Sequence, residues 1–391
     1  MGQSHRDEPS GRPNRRVLFV LVAVVIPVVV VAGTAVVVLA GAAASTRQVG
    51  RLPAPHLSTT TVPLLPLSVT ATSPANGTTG IDTSTPLTVN LSAPLAPTSP
   101  MPVLAPAVPG QWLRPSPTAL VFVASGPFVP GTHETLTVPA GSDGLVGVSG
   151  QHLAFPYVAH FSFAPGSVAR LQQLLAQLDY MPLSFTAAST APVLPQEEAD
   201  PQPGTFSWRW AGVGEALAPS WTPGTDNVIT KGAVMDFEAQ HGLVTDGIAG
   251  PQVWTELLSA ESAQVADPQP YGYVYVSQSL PESATVFQNG VAAYTTPVNT
   301  GVPGAATADG TFPVYVRYQV TTMRGTNPDG STYVDPGIPW VSYFNGGDAL
   351  HGFVRAQYGF PQSDGCVEMP PDNAQVVWPM TPIGTLVTVA N

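Results

Sequence analysis

Apolar and polar positions alternate with period two in short runs between residues 68 and 164. The clearest are Leu87-Thr88-Val89-Asn90-Leu91, Ala119-Leu120-Val121-Phe122-Val123, Thr135-Leu136-Thr137-Val138 and His160-Phe161-Ser162-Phe163. Runs of this length, broken by proline and glycine, predict the strands of a small antiparallel sandwich. The period lengthens at Val168, where Val168, Leu171, Leu174, Leu175 and Leu178 share one face of a predicted helix. A second helical stretch covers about Lys231 to His241 with Thr230 as its expected cap. A third starts at Pro251, because proline suits a first helical turn. These three short helices predict a small bundle over residues 165–262. Strands return from Tyr271 to Asn391: Tyr273-Val274-Tyr275-Val276, Ala284-Thr285-Val286-Phe287, Val314-Tyr315-Val316-Arg317-Tyr318 and Leu386-Val387-Thr388-Val389, with Asn289-Gly290 as a hairpin turn. A β-rich domain over residues 270–391 is expected, and the fold class of the chain is mainly β and multidomain.

The N-terminal pattern is of another kind. Val17 to Ala44 is 28 residues without a charge, long enough at about 1.5 Å per residue to cross a hydrocarbon core of about 30 Å. Arg6, Arg12, Arg15 and Arg16 precede it, so the positive-inside bias places residues 1–16 in the cytoplasm, 17–44 in the membrane as a transmembrane anchor and the rest outside the cell membrane. The competing reading is a cleaved signal peptide, with Ala42 to Ala44 as its small-residue site. Residues 45–67 carry Pro53, Pro55, Pro63 and Pro66 among Ser and Thr and read as an extended tether.

Composition narrows the chemistry. With 44 prolines, 37 glycines and only 10% charged residues, long helical bundles are disfavoured. Residues 1–16 hold four of the 13 basic and two of the 25 acidic side chains, so the remainder carries nine against 23, a formal −14. Nucleic acid is thereby excluded as a natural partner. His133, His152 and His160 lack a second ligand type at metal spacing, and no metal or other cofactor is expected.

The chain holds one cysteine, Cys366, in Gln362-Ser363-Asp364-Gly365-Cys366-Val367-Glu368-Met369, fifteen residues after His351. A solitary thiol outside the membrane has no internal disulfide partner and is exposed to oxidation, so its place in a Ser-x-Gly-Cys turn points to chemistry. A thiol attacks as thiolate, and its free form is only a few per cent ionised at neutral pH, so it needs a neighbouring imidazole or a field of N–H groups. His351 can serve as base. Gly365 allows close backbone approach, and N–H groups around Gly365 and Cys366 could stabilise an oxyanion, worth about 3 to 4 kcal/mol for one good donor. Acyl transfer follows from that set. A serine-hydrolase reading of Ser363 lacks a Gly-x-Ser-x-Gly elbow, and Ser363 better serves a hydrogen bond within the turn.

Three stretches resemble known families. Ser73-Pro74-Ala75-Asn76-Gly77 and Pro127-Phe128-Val129-Pro130-Gly131-Thr132 are similar to bacterial immunoglobulin-like domains, over residues 68–164. Lys231 to Leu243, Asp246-Gly247-Ile248-Ala249-Gly250-Pro251 and Trp254 resemble the peptidoglycan-binding-like three-helix domain, here with some fifty extra residues between its first two helices, including the acidic loop Gln196 to Asp200. Phe237 and Trp254 read as core rings. Gly310-Thr311-Phe312-Pro313-Val314, Thr321 to Gly325, Tyr333, Ile338-Pro339-Trp340, Tyr343-Phe344, His351-Gly352 and Ser363 to Met369 look like the YkuD family of L,D-transpeptidase catalytic domains. That resemblance implies Cys366 as nucleophile on a peptidoglycan stem peptide, a thioester intermediate, His351 as base and a 3→3 cross-link. It also implies that Met323 and Tyr333 line the donor groove, and that the main chain of Gly346 and Gly347 meets the stem.

One position departs from the family, which usually has histidine where this chain has Asp364. Three readings stand side by side. A carboxylate beside Cys366 opposes thiolate formation; facing His351 it would orient the ring and stabilise imidazolium; or it caps the turn by a backbone hydrogen bond. Glu368, acidic where other branches carry Asn or Arg, would meet the acceptor amine or lie in solvent. The expected function is a membrane-anchored, extracytoplasmic cysteine transpeptidase. Its alternatives are a wall-binding protein with an impaired site and an L,D-carboxypeptidase.

Overall fold

The computed structural model describes residues 64–391. The expected anchor and most of the tether lie outside them, and no described helix is long and apolar enough to cross a membrane. Seven strands come first: β1 (Val69–Ser73), β2 (Leu87–Leu91), β3 (Val103–Ala105), β4 (Gly110–Ser116), β5 (Ala119–Ala124), β6 (His133–Val138) and β7 (Tyr157–Ser162). They form two antiparallel sheets, β1-β2-β5-β4 and β3-β6-β7. Period-two alternation does the sorting, since every second residue of β2, β5 and β6 points inward. Leu87, Val89, Leu120, Phe122, Leu136 and Val138 meet Phe161 and Phe163 between the sheets.

Helix α1 (Val168–Gln177) is capped by Ser167, whose side chain accepts from the Arg170 N–H. Leu171, Leu174, Leu175 and Leu178 are buried, as their spacing requires. The polar face of α1 is buried too. The fifty-residue insertion folds back over it as the hairpin β8 (Leu183–Ala187) and β9 (Gly204–Trp208), followed by α2 (Ala211–Leu217). Gln173 and Gln202 exchange side-chain-to-backbone hydrogen bonds of 2.8 and 2.9 Å, and Arg170 Nε donates to the Glu198 carbonyl at 2.8 Å. Gln196 of the acidic loop donates to the Ala124 carbonyl of β5 at 2.7 Å, tying the insertion to the sandwich.

The next helix, α3 (Val228–Gln240), begins three residues before the expected start. Its cap is Asn227, which accepts from the N–H groups of Ile229 and Thr230. Thr230 instead lies inside, where its hydroxyl accepts from Gln172 at 2.9 Å. A buried acceptor for Gln172 has to come from somewhere, and that demand overrides Thr230's propensity to cap. Helix α4 (Pro251–Ala263) starts at Pro251 as expected. Phe237 and Trp254 are core rings, and Gly166 passes so close to Trp254 that a Cβ there would lie 2.1 Å from the indole.

The last region comprises β10 (Gly272–Ser277), β11 (Ser283–Gln288), β12 (Val291–Pro297), β13 (Gly310–Pro313), β14 (Val316–Thr326), β15 (Thr332–Asn345), β16 (Asp348–Gly352), β17 (Val367–Met369), α5 (Pro371–Val377) and β18 (Leu386–Ala390). Two sheets result, β12-β11-β10-β18-β13 and β14-β15-β16-β17. The Asn289-Gly290 turn joins β11 to β12 with positive φ at both residues, as a type I′ hairpin needs. The strand expected over Val314–Tyr318 is divided. At Val314 and Tyr315 the chain crosses from one sheet to the other: Val314 N–H donates to Thr385 beside the first, and Tyr315 N–H donates to Tyr343 in the second. One face of β10 and β18 packs Val274, Val276, Val387 and Val389 against Phe344, Leu350 and Val367 of the second sheet. The other face presents Tyr273 and Leu386 to α3 and α4, so the helical core is continuous with the sheet. Gly232 of α3 permits this approach, because a Cβ there would sit 2.7 Å from the Gly384 carbonyl.

Candidate active site

His351 stands on β16 and Glu368 on the parallel neighbour β17, as register partners. Cys366 lies one residue before β17 and is partly exposed at the floor of a cavity of about 230 Å³. Met323, Tyr333, His351, Ser363, Asp364, Cys366 and Glu368 line that cavity. Most of the expected side chains therefore converge on one place. Gly346 and Gly347 form the turn between β15 and β16 outside the lining. Gly347 still touches the site, because its carbonyl accepts from the Cys366 thiol at 3.6 Å, while the Gly346 carbonyl accepts from the Tyr315 hydroxyl.

The loop carrying the thiol is held along its length. Val302 N–H donates to the Ser363 carbonyl at 2.9 Å, Ser363 N–H donates to Thr300, and Asn299 and Glu368 exchange backbone hydrogen bonds. Thr300 is anchored in turn by Glu282, 1% exposed, whose oxygens accept from the Thr300 N–H and hydroxyl at 2.7 Å each. Ser363 Oγ donates to the Cys366 carbonyl across the turn, the role expected of it. Gly365 has φ +112, and a Cβ there would lie 2.6 Å from Asp348 Oδ1, so both conformation and space require glycine. Among the described residues, neither the Gly365 nor the Cys366 N–H donates to another group.

His351 is 2% exposed, and its Nδ1 meets the Gly352 carbonyl at 3.1 Å. A carbonyl only accepts, so Nδ1 carries the proton and Nε2 is left as acceptor. Burial lowers the imidazole pKa, so the ring is neutral at pH 7. The thiol moves the opposite way. Enclosure pushes Cys366 up to about 12, with Asp348, Glu368 and Asp364 adding to the rise and the Ala349 N–H opposing it. At rest a neutral thiol, donating to the Gly347 carbonyl, shares the cavity with a neutral imidazole, and no hydrogen bond joins the two.

This geometry separates the three readings of Asp364. Its carboxylate lines the cavity and disfavours the thiolate, while ring orientation falls to the Gly352 carbonyl and the turn's hydrogen bond to Ser363. Glu368 corrects its expectation more sharply. It is 5% exposed and receives two hydrogen bonds from Arg355, 2.7 Å from Nε and 2.8 Å from a terminal nitrogen. A carboxylate on an inward-facing strand position needs a partner, and Arg355 supplies it. Arg355, Asp335, Asn327, Ile338 and Phe353 complete the lining. Among these, Arg355 was open to inference from a charged residue between Val367 and Met369 in a chain with few cations.

Residues 272–389 match the YkuD family, described as the L,D-transpeptidase catalytic domain. Residues 65–164 match the bacterial Ig-like domain family. Neither match extends over residues 165–264. No curated protein sequence matches the chain. Among solved structures, the catalytic domain of an Enterococcus faecium L,D-transpeptidase is 25% identical, covers 32% of this chain and all of its own, and has a TM-score of 0.29. L,D-transpeptidase 3 from Mycobacterium tuberculosis, bearing a faropenem-derived adduct, is 13% identical over 83% of this chain and 98% of its own, TM-score 0.29. An L,D-transpeptidase from Mycobacterium smegmatis is 12% identical over 84% of this chain and all of its own, TM-score 0.28.

Proposed function

We propose, from the premise that residues 272–389 are a YkuD-type L,D-transpeptidase catalytic domain, that Cys366 acylates itself with a peptidoglycan stem peptide and passes the acyl group to an amine. The observation that carries this is the cavity shared by Cys366 and His351, with the imidazole's Nδ1 committed to Gly352. A thiol pushed up to about 12 is ionised to only about one part in 10⁵ at pH 7. Attack therefore couples to proton transfer: the thiol proton moves to His351 Nε2 as sulfur bonds to the L-centre carbonyl of the donor's third residue. The uncommitted N–H groups of Gly365 and Cys366 would receive the oxyanion. Collapse breaks the amide to the terminal D-alanine, whose amine takes the proton from the imidazolium. The acceptor's side-chain amine then attacks the thioester, gives its proton to His351 and releases the thiol, leaving a 3→3 cross-link.

Residues 17–44 would anchor the protein with its catalytic part outside the cell membrane, at the wall. The core shared by the helices with Tyr273 and Leu386 supports a bracing role for residues 165–262, with stem-peptide or glycan binding as an added proposal from the family resemblance. The impaired-site reading draws on the three carboxylates that disfavour the Cys366 thiolate. Mass spectrometry with a tetrapeptide donor and an acceptor amine decides between them. The wild type should gain a stoichiometric acyl adduct on Cys366, lose D-alanine and yield dimers, and Cys366→Ala should do none of these. Adduct without dimer indicates hydrolysis, absence of adduct supports impairment, and dimers from Cys366→Ala would sink the mechanism.

A further inference from the structure

The Arg355–Glu368 pair lines the cavity of Cys366 and His351 and is tied to both of their segments. Glu368 lies two residues after Cys366 and is the register partner of His351. Arg355 belongs to the loop that leaves β16, four residues after His351. Its guanidinium grips both Glu368 oxygens, and a terminal nitrogen also donates to the Gln362 carbonyl at 3.2 Å, at the start of the nucleophile's loop. The arginine is itself prearranged: its guanidinium lies 4.6 Å from the Phe353 ring centroid, and its N–H donates to the Tyr358 hydroxyl at 3.1 Å. A planar fork held at two levels fixes position as well as charge.

We propose that Arg355 is a positioning residue for acyl transfer, clamping the nucleophile's loop to the His351 strand and cancelling the charge of Glu368 beside Cys366. The proposal rests on Cys366 being the acting nucleophile. The groups that face the sulfur are Asp364 in its own loop, Glu368 on β17, Asp348 at the start of β16, and Tyr333 and Tyr343 on β15, with His351 and Asp335 lining the same cavity. Acidic groups dominate this set, and Arg355 is the one cation among the cavity's lining residues. Among the described residues Glu368 is the one of these carboxylates that forms an ion pair, so the offset supplied here is the one that leaves the thiol ionisable by a neutral imidazole. Glu368 and Arg355 act on His351 with opposite signs as well, the carboxylate raising its pKa and the guanidinium lowering it. Burial, the largest influence, keeps the ring a free base, and Arg355 offsets part of the opposing pull of Glu368.

The test reads the thiol directly by iodoacetamide alkylation of Cys366 between pH 7 and 9, beside the dimer assay and with circular dichroism to establish folding. Glu368→Gln removes the negative charge and keeps the arginine, and should speed alkylation about 3- to 10-fold at each pH. Arg355→Gln leaves Glu368 without its partner and should slow it by a similar factor. The double variant should alkylate about 3- to 10-fold faster than Arg355→Gln alone. Because those two proteins share the shortened side chain, their ratio reports charge free of altered access. A pair that only supports the fold would make every variant react alike or would alter all in one direction, and that result overturns the proposal. Should Arg355→Gln not fold, an alkylation rate in Glu368→Gln that fails to rise overturns it alone. Alkylation that follows the expected order in a protein forming no dimers would preserve this inference while rejecting the transpeptidase reading.

Discussion

The immunoglobulin-like sandwich and the catalytic domain both bury glutamates, and treat them differently. In the sandwich Glu134 is 4% exposed, and its Oε2 has no hydrogen-bond partner. Burial alone pushes that carboxyl up to about 7. In the catalytic domain Glu282 receives two hydrogen bonds from Thr300, and Glu368 receives two from Arg355. A lone acid can escape the cost of burial by taking a proton. A partnered one keeps its acceptors occupied and transmits position through its partner, here to the loop of Cys366, which Thr300 and Arg355 both hydrogen-bond. Two β-rich regions thus differ in whether buried polarity is tolerated or used to hold a site.

The largest expected effect lies in the catalytic domain. His351→Gln removes the acceptor Nε2 while retaining a polar side chain of similar reach, and should lower dimer formation about 10²- to 10⁴-fold. The thermal midpoint should stay near that of the wild type, and a variant with full turnover would remove the base from the mechanism. A stability effect comes next. Glu282→Ala strands the Thr300 N–H and hydroxyl, and should cost about 2 to 4 kcal/mol in denaturant unfolding, together with loss of Cys366 acylation. If unfolding is unchanged, the contrast drawn between the two regions fails.

Glu134→Gln should have the smallest effect and the opposite sign. The unfolded chain releases the Glu134 proton near 4.5 and the folded one near 7. Between those values the folded state holds the extra proton, so stability falls as pH rises from about 4.5 to about 7 and is level above. The glutamine, neutral throughout, should therefore gain about 1 to 2 kcal/mol at pH 8, discounted for the open cavity that Glu134 lines, and nothing at pH 4. A gain that does not depend on pH would refute the assignment of an unpartnered acid.

Much of the fold was legible in local pattern. The strands around Leu87, Leu120 and Leu136 followed period-two alternation, and α1 followed its leucine spacing, because each pattern exposes or buries a whole face at once. The cap of α3 was not legible. Asn227 and Thr230 are both acceptable caps, and the choice fell to Gln172, 58 residues from Thr230 and in need of a buried acceptor. The division of the strand at Val314 was likewise hidden, since Val314 to Tyr318 has strand character throughout and only the second sheet shows where the chain must cross.

Sequence by itself determined the parts whose chemistry is intrinsic: an alternation that builds sheets, one thiol, one histidine at a fixed interval before it, and a glycine at a position that tolerates no side chain. Tertiary structure alone decided how those parts are charged and held. Whether Asp364 orients a ring or opposes a thiolate, and whether Glu368 meets solvent or Arg355, depends on distances across strands and loops that no spacing along the chain encodes. Electrostatic effects depend on separation and burial in space, and both are set only when β16, β17 and the loop of Cys366 come together.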